Sequence, residues 1–340
     1  MRPTTFIVGT GRSGSSALSR ILNAHPGILS LNEMLAALTP VALPEGDVPG
    51  TEFWAILSGP NGIFDLMIRS GAALPEFLYP RKPGRHSAGN GIPAMCLMTL
   101  PLLTDDPDTA LDELEPLVTA WPTRPIGEHY GDLFDHLSGR YGGEVVVERS
   151  GYSVAWIPRL REVFPDAKFV HLHRDGPDCA MSMSRHPGYR MIYHLRLMVE
   201  MLGLNEITDL DEVNVAKLPP ELGGLFADPF DRRLLMDDDV PLSRFGALWS
   251  EIATEGVENL RGLPTERVTA LSYEDLIADP ARELARLAEF AGAPADPDWI
   301  AHGVASLDAS RRGASLKLPA DELAALREAC APGEAALAGD

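Results

Sequence analysis

Four short apolar runs punctuate the chain, each passing into polar or glycine-rich residues. They are Phe6-Ile7-Val8, Val145-Val146-Val147, Phe169-Val170 with Leu172, and Val268-Thr269-Ala270-Leu271. Runs of this kind, unbroken by alternating polar positions, mark strands buried on both faces. They predict strands near 5–8, 144–148, 168–173 and 267–272. Between them lie helical patterns: Leu18, Ile21 and Leu22 on one side of a helix, Asp178 to Arg185, Tyr193 to Leu202, and a final amphipathic stretch, Asp321 to Cys330. Strands alternating with helices predict an α/β fold around a central parallel sheet. Residues 40–140, rich in Pro and Gly and without a core strand, interrupt that pattern, as do residues 187–245, which carry an acidic loop at Asp237-Asp238-Asp239. The expected organisation is one domain over 1–340, with its core in 1–39, 141–186 and 246–340 and mostly helical insertions at 40–140 and 187–245.

The first strand passes directly into Gly9-Thr10-Gly11-Arg12-Ser13-Gly14-Ser15-Ser16 and then a helix. Glycines let backbone N–H groups converge, and a helix N-terminus adds partial positive charge, so strand, loop and helix form an anion cradle. Gly9 and Gly14 have the spacing of G-x-x-x-x-G-K-[ST], but Ser15 stands where the lysine belongs. That lysine reaches the β- and γ-phosphates in triphosphate enzymes. Here the cation comes earlier, as Arg12, with Ser15 and Ser16 hydroxyls to complete the cradle. The site suits a shorter 5′-phosphoanhydride, on a three-layer P-loop-NTPase-like core.

A second stretch repeats the logic. Lys168 to His173 ends at Arg174-Asp175-Gly176, Pro177 opens a helix, and Ser182 lies two turns into it. Arg174 and Ser182 can reach one anion at the sheet edge; the alternative is an arginine paired with Asp175 or Asp178. His171 and His173 share one strand face, where packing explains them better than a metal.

Together these stretches resemble the sulfotransferases that use 3′-phosphoadenosine 5′-phosphosulfate (PAPS), and most the branch containing tyrosylprotein sulfotransferases and many bacterial enzymes. The resemblance rests on Arg12-Ser13-Gly14-Ser15-Ser16, Ala24-His25-Pro26, Glu33, Glu148-Arg149-Ser150, Leu160 through Phe169, Arg174 with Ser182, and Tyr273-Glu274-Asp275-Leu276 with Asp279-Pro280, in family order from position 5 to about 317. It implies that the 5′ loop (Gly11 to Ser16) binds the phosphosulfate and that Arg174 and Ser182 bind the 3′-phosphate. Glu33 would be the general base, Arg12 and Arg149 would stabilise charge, and Tyr273 would lie beside the adenine. Arg311-Arg312-Gly313 resembles the R-K-G that closes over the 3′-phosphate in cytosolic sulfotransferases. Many relatives carry lysine at the place of Arg149; arginine cannot give up a proton, and a salt bridge to Glu148 or Asp166 is its bland alternative. The insertions would form the acceptor pocket and lid.

Composition narrows the partners. A net charge of −20 disfavours nucleic acid and anionic membrane surfaces, and makes a long sulfated polysaccharide an awkward acceptor. No apolar run reaches membrane-span length. The first strand begins almost at Met1, so no signal peptide is expected, and the unpaired number of cysteines, Cys96, Cys179 and Cys330, suits a reducing, cytoplasmic location. Arginine far outnumbers lysine, a bias of GC-rich bacterial genomes. The expectation is a PAPS-dependent O-sulfotransferase, releasing PAP (adenosine 3′,5′-bisphosphate), needing no metal, and acting on a small hydroxylated acceptor such as a natural product, lipid or sugar. The alternatives are a P-loop phosphotransferase, which Ser15 contradicts, and a non-catalytic nucleotide-binding protein, against which Glu33, Arg12 and Arg149 count.

Overall fold

The structure, a computed structural model, describes residues 2–82, 84–205, 207–308 and 312–339. Five parallel strands form the central sheet: β1 Thr4–Gly9, β2 Ile28–Asn32, β3 Val145–Arg149, β4 Lys168–His173 and β5 Val268–Ser272, in the order β2-β3-β1-β4-β5. The four expected strands are present within a residue or two of their predicted ends. β2 is additional. Its ILSLN run follows a turn in which His25 Nδ1 accepts from the Gly27 N–H (2.9 Å) while Nε2 donates to Pro294 O (3.0 Å), which gives the Ala24-His25-Pro26 segment a structural role.

Strand residues alternate between two cores. Phe6, Val8, Leu31, Val146 and Phe169 face one; Ile7, Ile28, Val145, Val147 and Val170 face the other. Both faces are apolar because both are covered, the expected condition for a parallel sheet. The second face lies against helix α1 Ser15–Asn23 and the helices Pro280–Ala291 and Pro297–Ser306, with Trp299 Nε1 donating to Ile21 O (2.6 Å).

Four further helices matter for the site and its surroundings: α2 Gly176–Met183, α3 Pro187–Leu202, α4 Leu242–Leu260 and α5 Ala320–Ala338. α4 covers the first face and packs along α5, which continues well past the expected end at Cys330. The described residues of 40–140 add no strand to the sheet; two short extended pieces, Asp47–Val48 and Arg124–Pro125, pair with each other. The insertions also meet. Met67 of the first packs with Met191, Met198, Leu225 and Phe230 of the second in a third small core.

β1 is central, and the chain leaves it in opposite directions across the sheet, towards β3 and β2 on one side and β4 and β5 on the other. Ligands of open α/β sheets bind beyond the strand ends at such a switch point. The glycine-rich loop sits there.

Candidate active site

The loop after β1 is shaped by its backbone. Gly11 and Gly14 have φ of 68° and 83°, and Arg12, at 56°, shares the left-handed region that side chains rarely adopt. A Cβ on Gly14 would lie 2.3 Å from the Tyr273 ring, and one on Gly11 1.7 Å from Tyr189 Oη, so both positions are closed to any larger residue. Gly14 precedes α1 with no side-chain cap, which leaves the first-turn N–H groups of Ser15 and Ser16 without acceptors inside the helix. By contrast, Asp175 caps α2 through the Asp178 N–H.

The expected residues converge in two clusters around this loop. In the first, Arg149 at the end of β3 is almost wholly buried, and all three of its nitrogens are engaged: Nε donates to Ser19 Oγ (2.7 Å), one terminal nitrogen meets Glu33 Oε1, and the other Asn32 Oδ1. Glu33 Oε2 accepts from the Gly151 N–H (2.9 Å), and its backbone N–H donates to Arg149 O (2.7 Å). Glu33 has φ 54°, the second left-handed non-glycine residue of the chain's described part. Two of the three expected catalytic groups are thus paired with each other, and neither Glu148 nor Asp166 serves as the partner of Arg149. Strand geometry explains this: Glu148 precedes Arg149 on β3 and so points to the opposite face. There Glu148 accepts from Ser150 Oγ (2.7 Å) and the Leu35 N–H (3.2 Å). Burial, opposed by those hydrogen bonds and reinforced by nearby Glu33, pushes the Glu148 carboxyl up to about 7.

In the second cluster, Arg174 donates to Asp178 Oδ2 (3.1 Å) and stacks over Tyr273 with its guanidinium carbon 4.8 Å from the ring centroid. Asp178 also accepts from the N–H groups of Gly313 (2.7 Å) and Ser315 (2.8 Å). The segment carrying Arg312 and Gly313 is therefore drawn to Arg174, although the Gly313 N–H is committed to Asp178 and the Arg312 side chain is exposed. Arg311 lies outside the described residues. Ser182 accepts from Arg12 Nε (3.3 Å), so Arg12 touches the residue expected at the 3′ end rather than Arg149. Ser13, expected to face the ligand, turns inward, its hydroxyl donating to Gly11 O (3.1 Å) beside Cys179. Ser15 is buried and Ser16 exposed at the start of α1.

Three partners carried no local signal. Glu76, from the first insertion, takes Arg12 on Oε1 (3.0 Å) and His186 Nε2 on Oε2 (3.1 Å). Burial raises its carboxyl, but His186 and Arg12 outweigh this and hold it at about 2. Tyr189 donates to Thr10 O (2.6 Å) and pins the loop to α3. Nothing in the spacing of these residues in the sequence links them. His171, by contrast, is packed as expected, buried and held down to about 3 by desolvation and then by His173.

The gap lined by Gly9, Gly11, Ser15, Arg149 and Gly151 encloses only about 10 Å³, so an anion entering there requires Arg149 or the loop to shift. A larger open groove of about 450 Å³ lies between α4 and α5, lined by Glu251, Glu255 and Glu258, and holds none of the candidate residues. Among the described residues no cluster of His, Cys, Asp and Glu could hold a metal ion, and no helix is long and apolar enough to cross a membrane.

A parallel sheet covered on both faces, with a glycine-rich loop at its switch point and three arginines close by, defines a P-loop-like α/β fold. Residues 127–201 match the model of the Sulfotransferase family. Among solved structures the chain is similar to a sulfotransferase domain from the curacin biosynthetic pathway (17% identity, TM-score 0.49, covering 96% of this chain and 97% of that one). It is also similar to a sulfotransferase from Alicyclobacillus acidocaldarius (17%, TM-score 0.44, 100% and 95%) and to the sulfotransferase domain of the Synechococcus PCC 7002 olefin synthase (18%, TM-score 0.44, 97% and 94%). No curated protein sequence matches the chain.

Proposed function

We propose that the protein transfers a sulfuryl group from PAPS to a hydroxyl of a small molecule such as a natural product, lipid or sugar. One observation carries this reading: Arg12, Arg149 and Arg174 gather around the uncapped N-terminus of α1, at the switch point of a parallel sheet. The residues fit the donor. The Gly11–Ser16 loop and the N–H groups of Ser15 and Ser16 would hold the 5′-phosphosulfate. Arg174, Ser182 and the Arg312-Gly313 segment would hold the 3′-phosphate, and Tyr273, which lies under Arg174 and against Gly14, would lie beside the adenine. When bound, PAPS supplies the sulfuryl group.

The chain's own groups account for the rest. Glu33 takes the acceptor's hydroxyl proton as the new oxygen–sulfur bond forms, a contribution of about 10²–10⁴ in rate. Arg149 neutralises the charge left on the bridging oxygen as the sulfur–oxygen bond to phosphate breaks, through the second N–H of a terminal nitrogen while the first stays on Glu33 or Asn32. Ser15 in place of a P-loop lysine separates this site from a phosphotransferase.

Calorimetric titration with PAP, with and without magnesium and against ADP and ATP, tests the reading. Magnesium-independent binding of PAP is expected, weakened by Arg174→Ala and Ser182→Ala, with Glu33→Gln binding normally but turning over about 10²–10⁴-fold more slowly. Preference for ATP with magnesium overturns it.

A further inference from the structure

Arg12 is the least supported of the three arginines by its own surroundings. Its backbone is left-handed, and its side chain donates through Nε to Ser182 and through one terminal nitrogen to Glu76. Its carboxylate partner does not come from the cradle at all. Glu76 belongs to the first insertion, between Leu74, which packs on the core, and Phe77, which is 1% exposed. Phe77 N donates to Leu74 O (3.1 Å) and Leu78 N to Leu97 O (3.0 Å), so the carboxylate rides on an anchored turn. Both its oxygens are in use, Oε1 on Arg12 and Oε2 on His186, and His186 is itself 6% exposed at the start of α3. Burying a charged pair costs desolvation that a solvent-exposed pair avoids, and its return is geometry. Three chain segments far apart in sequence thus meet at one guanidinium.

We infer that Glu76 and His186 are positioning residues for Arg12: His186 fixes the carboxylate, the carboxylate fixes the guanidinium, and the acceptor-side insertion thereby sets the aim of a donor-side cation. The inference rests on the sulfuryl-transfer reading for its consequence in catalysis, but its geometry stands in the donor-free protein. Glu76→Gln keeps the shape and leaves a single acceptor oxygen for two donors. His186→Gln retains an N–H for Glu76 Oε2, whereas His186→Ala does not.

The direct readout is the Arg12 Nε–H signal in ¹H–¹⁵N spectra of the donor-free protein, assigned by its loss in Arg12→Lys. Faster solvent exchange of that proton in Glu76→Gln and His186→Ala, with His186→Gln close to wild type, is the expected result. Equal exchange in wild type and Glu76→Gln overturns the inference, whatever the donor proves to be. In turnover, Glu76→Gln and His186→Ala should lower kcat/KM for PAPS about tenfold, with His186→Gln close to wild type. On an Arg12→Ala background Glu76→Gln should cost nothing further; an undiminished loss there also overturns it. A wild-type protein that neither binds PAP nor turns over PAPS would fell the functional reading alone, because the Arg12 signal decides the inference separately.

Discussion

Glu148 shows how much one position on a strand can decide. It and Arg149 are neighbours in sequence, yet the two-residue period of β3 sends Arg149 to Ser19 and Glu33 and sends Glu148 into the opposite layer. There it accepts from Leu35 N and Ser150 Oγ, and Ser150 Oγ in turn accepts from Ala36 N, so the pair caps the short helix Met34–Leu38 that begins immediately after Glu33. Burial raises the Glu148 carboxyl from 4.5 to about 7. The folded protein therefore holds a proton there that the unfolded chain has released. Stability contributed by this group is greatest below pH 4.5 and declines as pH rises towards 7. Glu148→Gln keeps an oxygen for the Ser150 and Leu35 donors and removes the titration. Unfolding free energy measured against pH should show the variant gaining on wild type by about 1–3 kcal/mol between acid and mildly alkaline conditions. A difference that stays flat with pH would mean that Glu148 ionises normally in the fold.

At the scale of elements, Asp178 ties the N-terminal turn of α2 to the C-terminal segment 312–315 through the Gly313 and Ser315 N–H groups while also holding Arg174. Desolvation raises its carboxyl, but those hydrogen bonds and Arg174 prevail and hold it low. Asp178→Asn turns a donor towards groups that are already donors, which costs about 1–3 kcal/mol for the buried polar atoms left unmatched. The variant should fold, cut faster with trypsin after Arg312, and bind PAP at least tenfold more weakly; unchanged cleavage and affinity would show the segment to be held by other contacts. The same elements show what the chain discloses on its own. The 145–149, 168–173 and 268–272 strands are legible because short unbroken apolar runs bounded by polar residues have few other uses in an α/β fold. β2 is not, since its five residues follow a turn so closely that they read as a return path to Glu33. Arg174 and Asp178 are four residues apart and their pairing is legible as a local alternative. The Glu33–Arg149 and Arg12–Glu76 pairs span 116 and 64 positions, and no local period encodes them.

For the whole molecule, the issue is how a chain with a formal charge of −20 would receive the multiply charged donor proposed for it. The local answer is steep: Arg12, Arg149, Arg174 and the α1 N-terminus surround one loop, within a few ångströms of where the ligand's phosphates would lie. The distant answer has the opposite sign, because the acidic exterior repels the ligand on approach. Salt separates the two, since the screening length falls from about 30 Å at 0.01 M to about 10 Å at 0.1 M, shielding the exterior long before it reaches the partly buried arginines. Stopped-flow binding of PAP should therefore show an association rate that rises about two- to threefold as NaCl goes from about 10 to 150 mM. A falling association rate would mean that the arginine cluster governs the approach as well as the bound state, and that the surface charge is placed on faces remote from the mouth. The rising curve would assign the acidic exterior a part in the approach: it slows anions in proportion to their charge, and the cradle must then supply the affinity that retains them.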